Sequence, residues 1–426
     1  MRTVNVGLIG LGTVGGGVAR IINRHRDDFL RHNNIDVAIK RVVDLREGQA
    51  KELGMFDIWT NDWHDVVNDP EIDIVIELIG GTGIAREIVL GALKAGKHVV
   101  TANKALMASC GEEIFAAAES TGVEIAFEAS VGGGIPIIGP LKHSLISNEI
   151  SSVLGIVNGT TNYMLTLMEE ENLSYEDALK KAQANGFAEA NPTADVDGFD
   201  AAAKIAILAS IAFNSRVTID DVPTEGIRTI TPIDLKRAKE MGYSIKLLAA
   251  AHRTEKGIDV HVGPSMVPLD HQLSNVKGVY NAIYVTGDAV GDTMFFGMGA
   301  GSGPAASAVV GDVLEVARHI SEGITAIVGC RCTDNLPIVD PDDLYGRFYI
   351  RMRVADKPGT LAATAEVFAT CNVSIASMSQ RGTGAEEAEI AYTTHEARVK
   401  DIKDALDVTR TLKQVKEVST VIRIEG

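Results

Sequence analysis

The feature that most constrains this chain is a β-branched run at residues 3–10 that ends in a glycine turn. Gly10-Leu11-Gly12-Thr13-Val14-Gly15 follows G-x-G-x-x-G, and a helical pattern over 15–31 starts at its last glycine. Glycines at these places permit a tight turn, close backbone approach to a pyrophosphate, and close packing of helix on strand. The helix N-terminus then offers free N–H groups to phosphate. A purely structural glycine turn is the competing reading of the motif alone. Its setting favours nucleotide binding: strand-like runs recur at 36–43, 73–79, 97–101 and 123–127, with helical patterns such as 85–95 between them. Strands alternating with helices predict right-handed βαβ units and a parallel, Rossmann-type sheet ending near residue 130. Asp44 follows the second strand, where an acidic side chain accepts a ribose 2′-OH and repels a 2′-phosphate. Arg41 and Arg46 flank it and could hold that phosphate instead, so NAD and NADP both stay open.

The character changes after residue 140. Strands at 153–157, 258–262 and 280–285 mix with longer helices at 175–184, 199–213 and 305–320. This predicts a separate α+β domain over 131–330, with the helix at 305–320 able to pack back on the 1–130 domain. Residues 334–345 hold two prolines and four aspartates and read as a linker. Over 346–426 the elements run 348–354, 360–370, 373–378, 387–392, 397–411 and 417–424. Their order is βαββαβ, the ferredoxin-like arrangement. The fold class is thus α/β, a parallel-sheet domain followed by α+β and ferredoxin-like parts.

At 426 residues the chain is long enough for two to three domains, at about 150 residues each. Its net charge of -17, from 57 acidic and 40 basic residues, repels phosphate backbones and anionic bilayers. Neither nucleic acid nor a membrane is an expected partner. Cys110, Cys330, Cys332 and Cys371 show neither a disulfide framework nor C-x-x-C spacing, so they read as ordinary thiols in a reducing compartment. With no signal-like N-terminus and no apolar run of spanning length, a cytoplasmic location is expected.

The densest set of chemical groups lies between 186 and 204. Glu189, Asp195, Asp197, Asp200 and Lys204 occur within sixteen residues. Asp200 and Lys204 stand four apart at the start of an apolar helical pattern and share a face. A lysine on so apolar a helix is buried, and needs an anion, a substrate or a shifted pKa. A solvated pair at a helix start competes with this reading. A calcium loop does not, because the glycine and glutamate of that motif are out of place. A third feature is Thr101-Ala102-Asn103-Lys104 at the end of a predicted parallel strand, the edge where open α/β sheets hold ligands.

Together these residues resemble the homoserine dehydrogenase family. The most specific part is Ala182-x-x-x-Gly186-Phe187-Ala188-x-x-Asn191-Pro192-x-x-Asp195-Val196-x-Gly198-x-Asp200-x-x-x-Lys204, and the runs 128–136 and 158–163 are similar as well. The resemblance implies interconversion of L-homoserine and L-aspartate 4-semialdehyde with NAD or NADP. It implies Lys204 as the acid–base group with Asp200 beside it, and Lys104 against cofactor or substrate. Glu189, Asp195 and Asp200 would take the substrate ammonium and ordering waters. Gly10, Gly12, Thr13, Val14, Gly15, Asp44 and Gly301 would line the cofactor. Carbonyl oxygens of Val131, Gly133 and Ile135, with Glu128 nearby, would hold a sodium-like monovalent cation. Where many relatives have a basic residue before the strand-end aspartate, this chain has Val43.

Asp356-Lys357-Pro358-Gly359-Thr360-Leu361 resembles the first loop of an ACT domain. That implies an amino-acid effector, threonine for this family, and a homodimer or homotetramer. On this reading, a chain stopped before Arg347 keeps catalysis and loses inhibition. Two other functions compete. A semialdehyde dehydrogenase needs an activated thiolate, and Cys110 has no histidine close in sequence. An amino-acid-sensing binding protein without catalysis has no use for Lys104, Asp200 and Lys204 together.

Overall fold

The computed structural model describes residues 2–324, 332–384 and 386–425. It forms two compact units, neither continuous in the chain. One takes residues 1–157, 203–222 and 280–336, and the other 158–202, 223–279 and 337–426.

In the first unit, β1 (Thr3–Ile9), β2 (Asp36–Val43), β3 (Trp59–Thr60), β4 (Ile74–Glu77), β5 (His98–Thr101) and β6 (Ile125–Ala126) form a parallel sheet ordered β3-β2-β1-β4-β5-β6. Val4, Val6, Leu8, Ile74 and Ile76 have no exposed surface, as expected of strands covered on both faces. The strand order reverses between β1 and β4, which opens a crevice at the carboxyl edge. The helix Ser302–Glu322 packs on the helix Thr13–Asn33 and joins the same core through Ala306, Val309, Val313 and Val316. Gly17 permits this approach, because a Cβ there would lie 2.8 Å from Ala306 Cβ.

The remaining strands are β7 (Ile150–Ile156), β8 (Tyr243–Thr254), β9 (Gly257–Pro268), β10 (Tyr280–Gly287), β11 (Gly291–Met298), β12 (Tyr345–Ala355), β13 (Ile375–Gly382), β14 (Glu387–Thr394), β15 (Ala397–Arg398) and β16 (Val415–Ile424). The first unit holds β11-β10-β7, all antiparallel. The second holds β8-β9-β16-β12-β14-β13. Its C-terminal half has the ferredoxin-like order, with the helices Thr360–Thr370 and Val399–Thr411 contributing Phe368, Ile402 and Ala405 to a core with Ile350, Met352 and Ile390.

Compactness does not follow the residue ranges read from the sequence. β16 runs parallel to β9, with Arg423 opposite Ser265. Arg351 on β12 donates to fully buried Asp234 (2.8 Å) and to Glu389 (3.2 Å), and Thr420 on β16 donates to the same Asp234 oxygen at 2.8 Å. Asp234 also closes a capping box with Thr231 at the helix Pro232–Glu240.

β8 has no counterpart in the sequence reading, and β9 extends well beyond 258–262. Eight consecutive residues of β8 are buried, so the alternation that marks a strand is missing, and its leucines and alanines favour helix. Cys110 and Cys371 are free thiols, and Cys330 lies outside the described residues. Among the described residues no helix is long and apolar enough to cross a membrane.

Lys246 on β8 is almost wholly buried and donates to the Val276 carbonyl at 2.7 Å. Desolvation lowers its pKa to about 8. Between that value and an unfolded value near 10.5, the unfolded chain binds the extra proton, so stability rises with pH. The expected result is that Lys246→Met flattens the stability–pH curve above pH 8 relative to the parent, by up to about 3 kcal/mol in denaturant titrations.

Candidate active site

The glycine turn is built as the motif requires. Gly10 has φ 98°, and a Cβ on Gly15 would lie 1.8 Å from the Gly10 carbonyl oxygen. Gly12 is the N-cap of the helix Thr13–Asn33, and a Cβ there would meet nothing within 4 Å. The helix terminus therefore faces open space. A cavity of about 350 Å³ adjoins it, lined by Leu11, Gly12, Thr13, Arg20 and Ser302 among others. Ser302 gave no signal in the sequence, because it stands 289 residues from Thr13, whereas Arg20 is on the helix that the turn itself opens. The Ser302 hydroxyl donates to the Thr13 carbonyl at 2.6 Å.

Asp44 fastens the same turn. One carboxylate oxygen accepts from Leu11 N and the other from Arg46 N, each at 2.8 Å. Arg41 is drawn toward Asp69, at 3.8 Å, while Arg46 remains exposed beside Asp44. At the neighbouring edge Lys104 opens the helix Lys104–Thr121, whose N-cap is Asn103. Asn103 also donates to the Gly81 carbonyl and to Glu77, and Glu77 accepts from Thr101, Ile79 N and Gly80 N. Glu77 is fully buried and organises the ends of β4 and β5. A lone glutamate in an apolar strand gave no sign of this in the sequence.

Residues 131–135 form a tight loop with positive φ at Gly132 and Gly133, closed by Ile135 N donating to the Gly132 carbonyl at 2.9 Å. It lies against the segment 298–304: Gly134 N donates to Met298 O, and a Cβ on Gly133 would be 2.4 Å from Gly299 O. Gly301, at φ 120°, caps the helix that follows. The Glu128 carboxylate accepts three bonds from Ile137, Ile138 and Gly139 N–H, at 2.6 to 2.8 Å. Glu128 N in turn donates to Asp312, a buried carboxyl that desolvation pushes well above the usual range. Glu128 is therefore an anchor for the backbone at 137–139. Among the described residues no cluster of three or more His, Cys, Asp or Glu side chains could hold a metal.

In the acidic stretch the organiser is Asn158. Its amide donates to Asp195 at 2.7 Å and to Asp200 at 2.9 Å, while its oxygen caps the helix Gly159–Glu171. Asp197 turns away into a bidentate pair with Arg228. Glu189 stands exposed, its carbonyl held by Gln183. Lys204, four residues after Asp200 on the helix Phe199–Ala212, is buried and donates to the Val157 carbonyl at 2.6 Å.

The first unit thus carries an open glycine turn and a buried lysine, and the second carries two aspartates aligned by one asparagine. Three family models match: homoserine dehydrogenase, NAD binding domain, over 10–128; homoserine dehydrogenase over 136–314; and ACT domain over 348–414. The homoserine dehydrogenase of Bacillus subtilis is 43% identical, over 100% of this chain and 99% of that relative. This chain belongs to the homoserine dehydrogenase family. The crystal structure of a homoserine dehydrogenase from Thiobacillus denitrificans superposes with a TM-score of 0.95 at 41% identity, covering 100% of this chain and 99% of that one. A hyperthermophilic archaeal homoserine dehydrogenase in complex with NADPH gives a TM-score of 0.64 at 26% identity, covering 74% of this chain and 98% of its own. The protein is therefore an oxidoreductase that interconverts L-homoserine and L-aspartate 4-semialdehyde, with an NAD(P)-binding domain and a C-terminal ACT domain.

Proposed function

We propose that Lys204 exchanges the proton at the reacting oxygen of homoserine. The carrying observation is its buried Nζ, held at 2.6 Å by the Val157 carbonyl on the helix that starts with Asp200. The nicotinamide cofactor supplies the hydride chemistry when bound, so the chain must position the substrate and provide one proton donor. An ammonium at the developing alkoxide also stabilises its charge. Asp195 and Asp200, aligned by Asn158, take the substrate ammonium and ordering water, and exposed Glu189 is a further carboxylate for that ammonium. Lys104 meets cofactor or substrate at the crevice edge. The N–H groups after Gly12, at Thr13 and Val14, receive the pyrophosphate, with Gly10, Gly15 and Asp44 shaping the turn and Gly301 beside the nicotinamide. Carbonyls of Val131, Gly133 and Ile135 suit a sodium-like ion, with Glu128 fixing the loop that presents them. The enzyme acts in the cytoplasm as a homodimer or homotetramer, and threonine is its effector.

Nicotinamide absorbance with homoserine as substrate tests this directly, and no turnover with either cofactor would refute it. The cofactor choice is a separate expectation. Asp44 favours a free 2′-OH, and Val43 places no cation beside it, so NAD should support turnover. Arg46 leaves NADP usable. The measurement is kcat/KM for both cofactors, and complete failure with NAD would make Arg46 the governing residue.

A further inference from the structure

The first unit holds a buried amide that none of the chemistry assigned above uses. Asn281 stands at the start of β10, opposite Gly297 on β11, and is 1% exposed. Its side-chain nitrogen has two hydrogens to donate and its oxygen two lone pairs. Neither atom has a hydrogen-bond partner among the described residues. Polar atoms buried this deeply are nearly always bonded, and leaving them unbonded opposes folding. An apolar residue of similar shape would pack in the same place without that cost. The amide therefore has a use other than stability.

Its surroundings show what that use is. A Cβ on Gly299 would stand 2.1 Å from Asn281 Cγ, 2.3 Å from Oδ1 and 2.5 Å from Nδ2, so the amide fills the room a side chain at 299 would need. Gly299 lies in the turn that joins β11 to the helix Ser302–Glu322, whose N-cap is Gly301. The loop 131–135 presses on the same turn, since a Cβ on Gly134 would lie 2.7 Å from Pro304 Cβ and one on Gly133 2.4 Å from Gly299 O. Only glycine fits at 133, 134 and 299, which leaves the turn little room. Ile283, two residues along β10, shares the face of Asn281, and Ile135 lies against Gly297; both are apolar. The N–H and C=O groups of Gly299 and Ala300 make no backbone hydrogen bond among the described residues. An amide with donors and an acceptor to spare thus touches backbone that has the same to offer.

We propose that Asn281 is a positioning residue for the nicotinamide ring. Its amide bonds the backbone of Gly299 and Ala300 when a ring lies against Gly301, and so sets how far that glycine stands from the ring. This rests on the reading that places Gly301 beside the nicotinamide. Asn281 touches no reacting atom and acts only through the turn. Because amide and turn are already in contact, a small displacement of the turn completes the bonds. Bonds made in one of two positions of the turn favour the ligand that selects that position, so they add to affinity for the ring and not for the rest of the cofactor.

The test separates the two halves of the cofactor in the full-length enzyme. Calorimetry gives Kd for the reduced cofactor that supports turnover and for ADP-ribose (its 2′-phosphate form if that cofactor is NADPH), which lacks the ring. Asn281→Leu keeps the approximate volume and removes both bonding atoms. It should melt at or above the parental temperature, bind the reduced cofactor at least tenfold more weakly, and bind the ringless fragment within twofold of the parent. The kcat/KM for the cofactor should fall by at least the same factor. Asn281→Ala, which is smaller, should show the same split between cofactor and fragment even if leucine disturbs the strand. Parental affinity for the reduced cofactor in both variants would overturn the proposal. Equal weakening of cofactor and fragment would also overturn it, because the defect would then lie away from the ring. Gly301→Val examines the underlying reading by itself: parental cofactor affinity in that variant removes Gly301 from the ring, and the proposal falls with it whatever the Asn281 variants show.

Discussion

Replacing Lys204 with alanine is expected to lower kcat by about 10²–10⁴-fold, the usual range for loss of a general acid–base group, while cofactor affinity stays near that of the parent. The expectation follows from its placement. The side chain is buried, its ammonium is fixed on the Val157 carbonyl at 2.6 Å, and its helix Phe199–Ala212 is a different element from the helix Thr13–Asn33 that the glycine turn opens. Alanine also leaves the Val157 carbonyl without its donor, which costs about 1–3 kcal/mol of stability. Thermal unfolding therefore belongs beside the kinetics, so that a folding defect is not mistaken for a catalytic one. Lys204→Arg keeps the charge and the donor but holds its proton far beyond neutral pH. It should recover stability and not turnover. An alanine variant with half the parental kcat would remove Lys204 from the proton-transfer role.

How much of this was legible in the sequence depended on how local each partnership is. The glycine turn could be read because its constraint spans six residues: Gly15 must be glycine since the Gly10 carbonyl lies 1.8 Å from where its Cβ would stand. That Asp200 and Lys204 share one helix could be read because they are one helical turn apart. Asn158 could not be assigned its role, for the aspartates it aligns lie 37 and 42 residues away. The same holds for Glu77, whose partners Thr101 and Asn103 arrive from the next strand. Glu128 has a structural task that its neighbours in sequence do not announce. Its carboxylate reaches forward to three N–H groups, at Ile137, Ile138 and Gly139. β8 was missed for a physical reason too, since a strand buried on both faces loses the alternation that exposes strands to inspection.

Stopping the chain before Arg347 should cost stability first and regulation second. Asp234 is fully buried, and two of its partners, Arg351 and Thr420, lie in the deleted part. What remains on it is the capping box with Thr231, which occupies the other carboxylate oxygen. Removing one member of a buried ion pair typically costs about 3–5 kcal/mol, because the remaining charge stays desolvated. β9 loses β16 at the same stroke, and with it Arg423 and Glu425, which meet Asp259 and His261. Against a typical total of about 5–15 kcal/mol, the truncated enzyme should unfold roughly 10 °C or more below the full chain. Catalysis itself should survive at a permissive temperature. Every residue proposed for the chemistry lies before Arg347, and an archaeal homoserine dehydrogenase fits within 74% of this chain. Initial rates against threonine then separate the two effects: the truncated enzyme should be active and insensitive. Asp234→Asn in the truncated background should restore part of the lost melting temperature, since a neutral amide is cheaper to bury unpaired than a carboxylate. A truncated chain that melts with the parent would show that the Asp234–Arg351 network contributes no net stability.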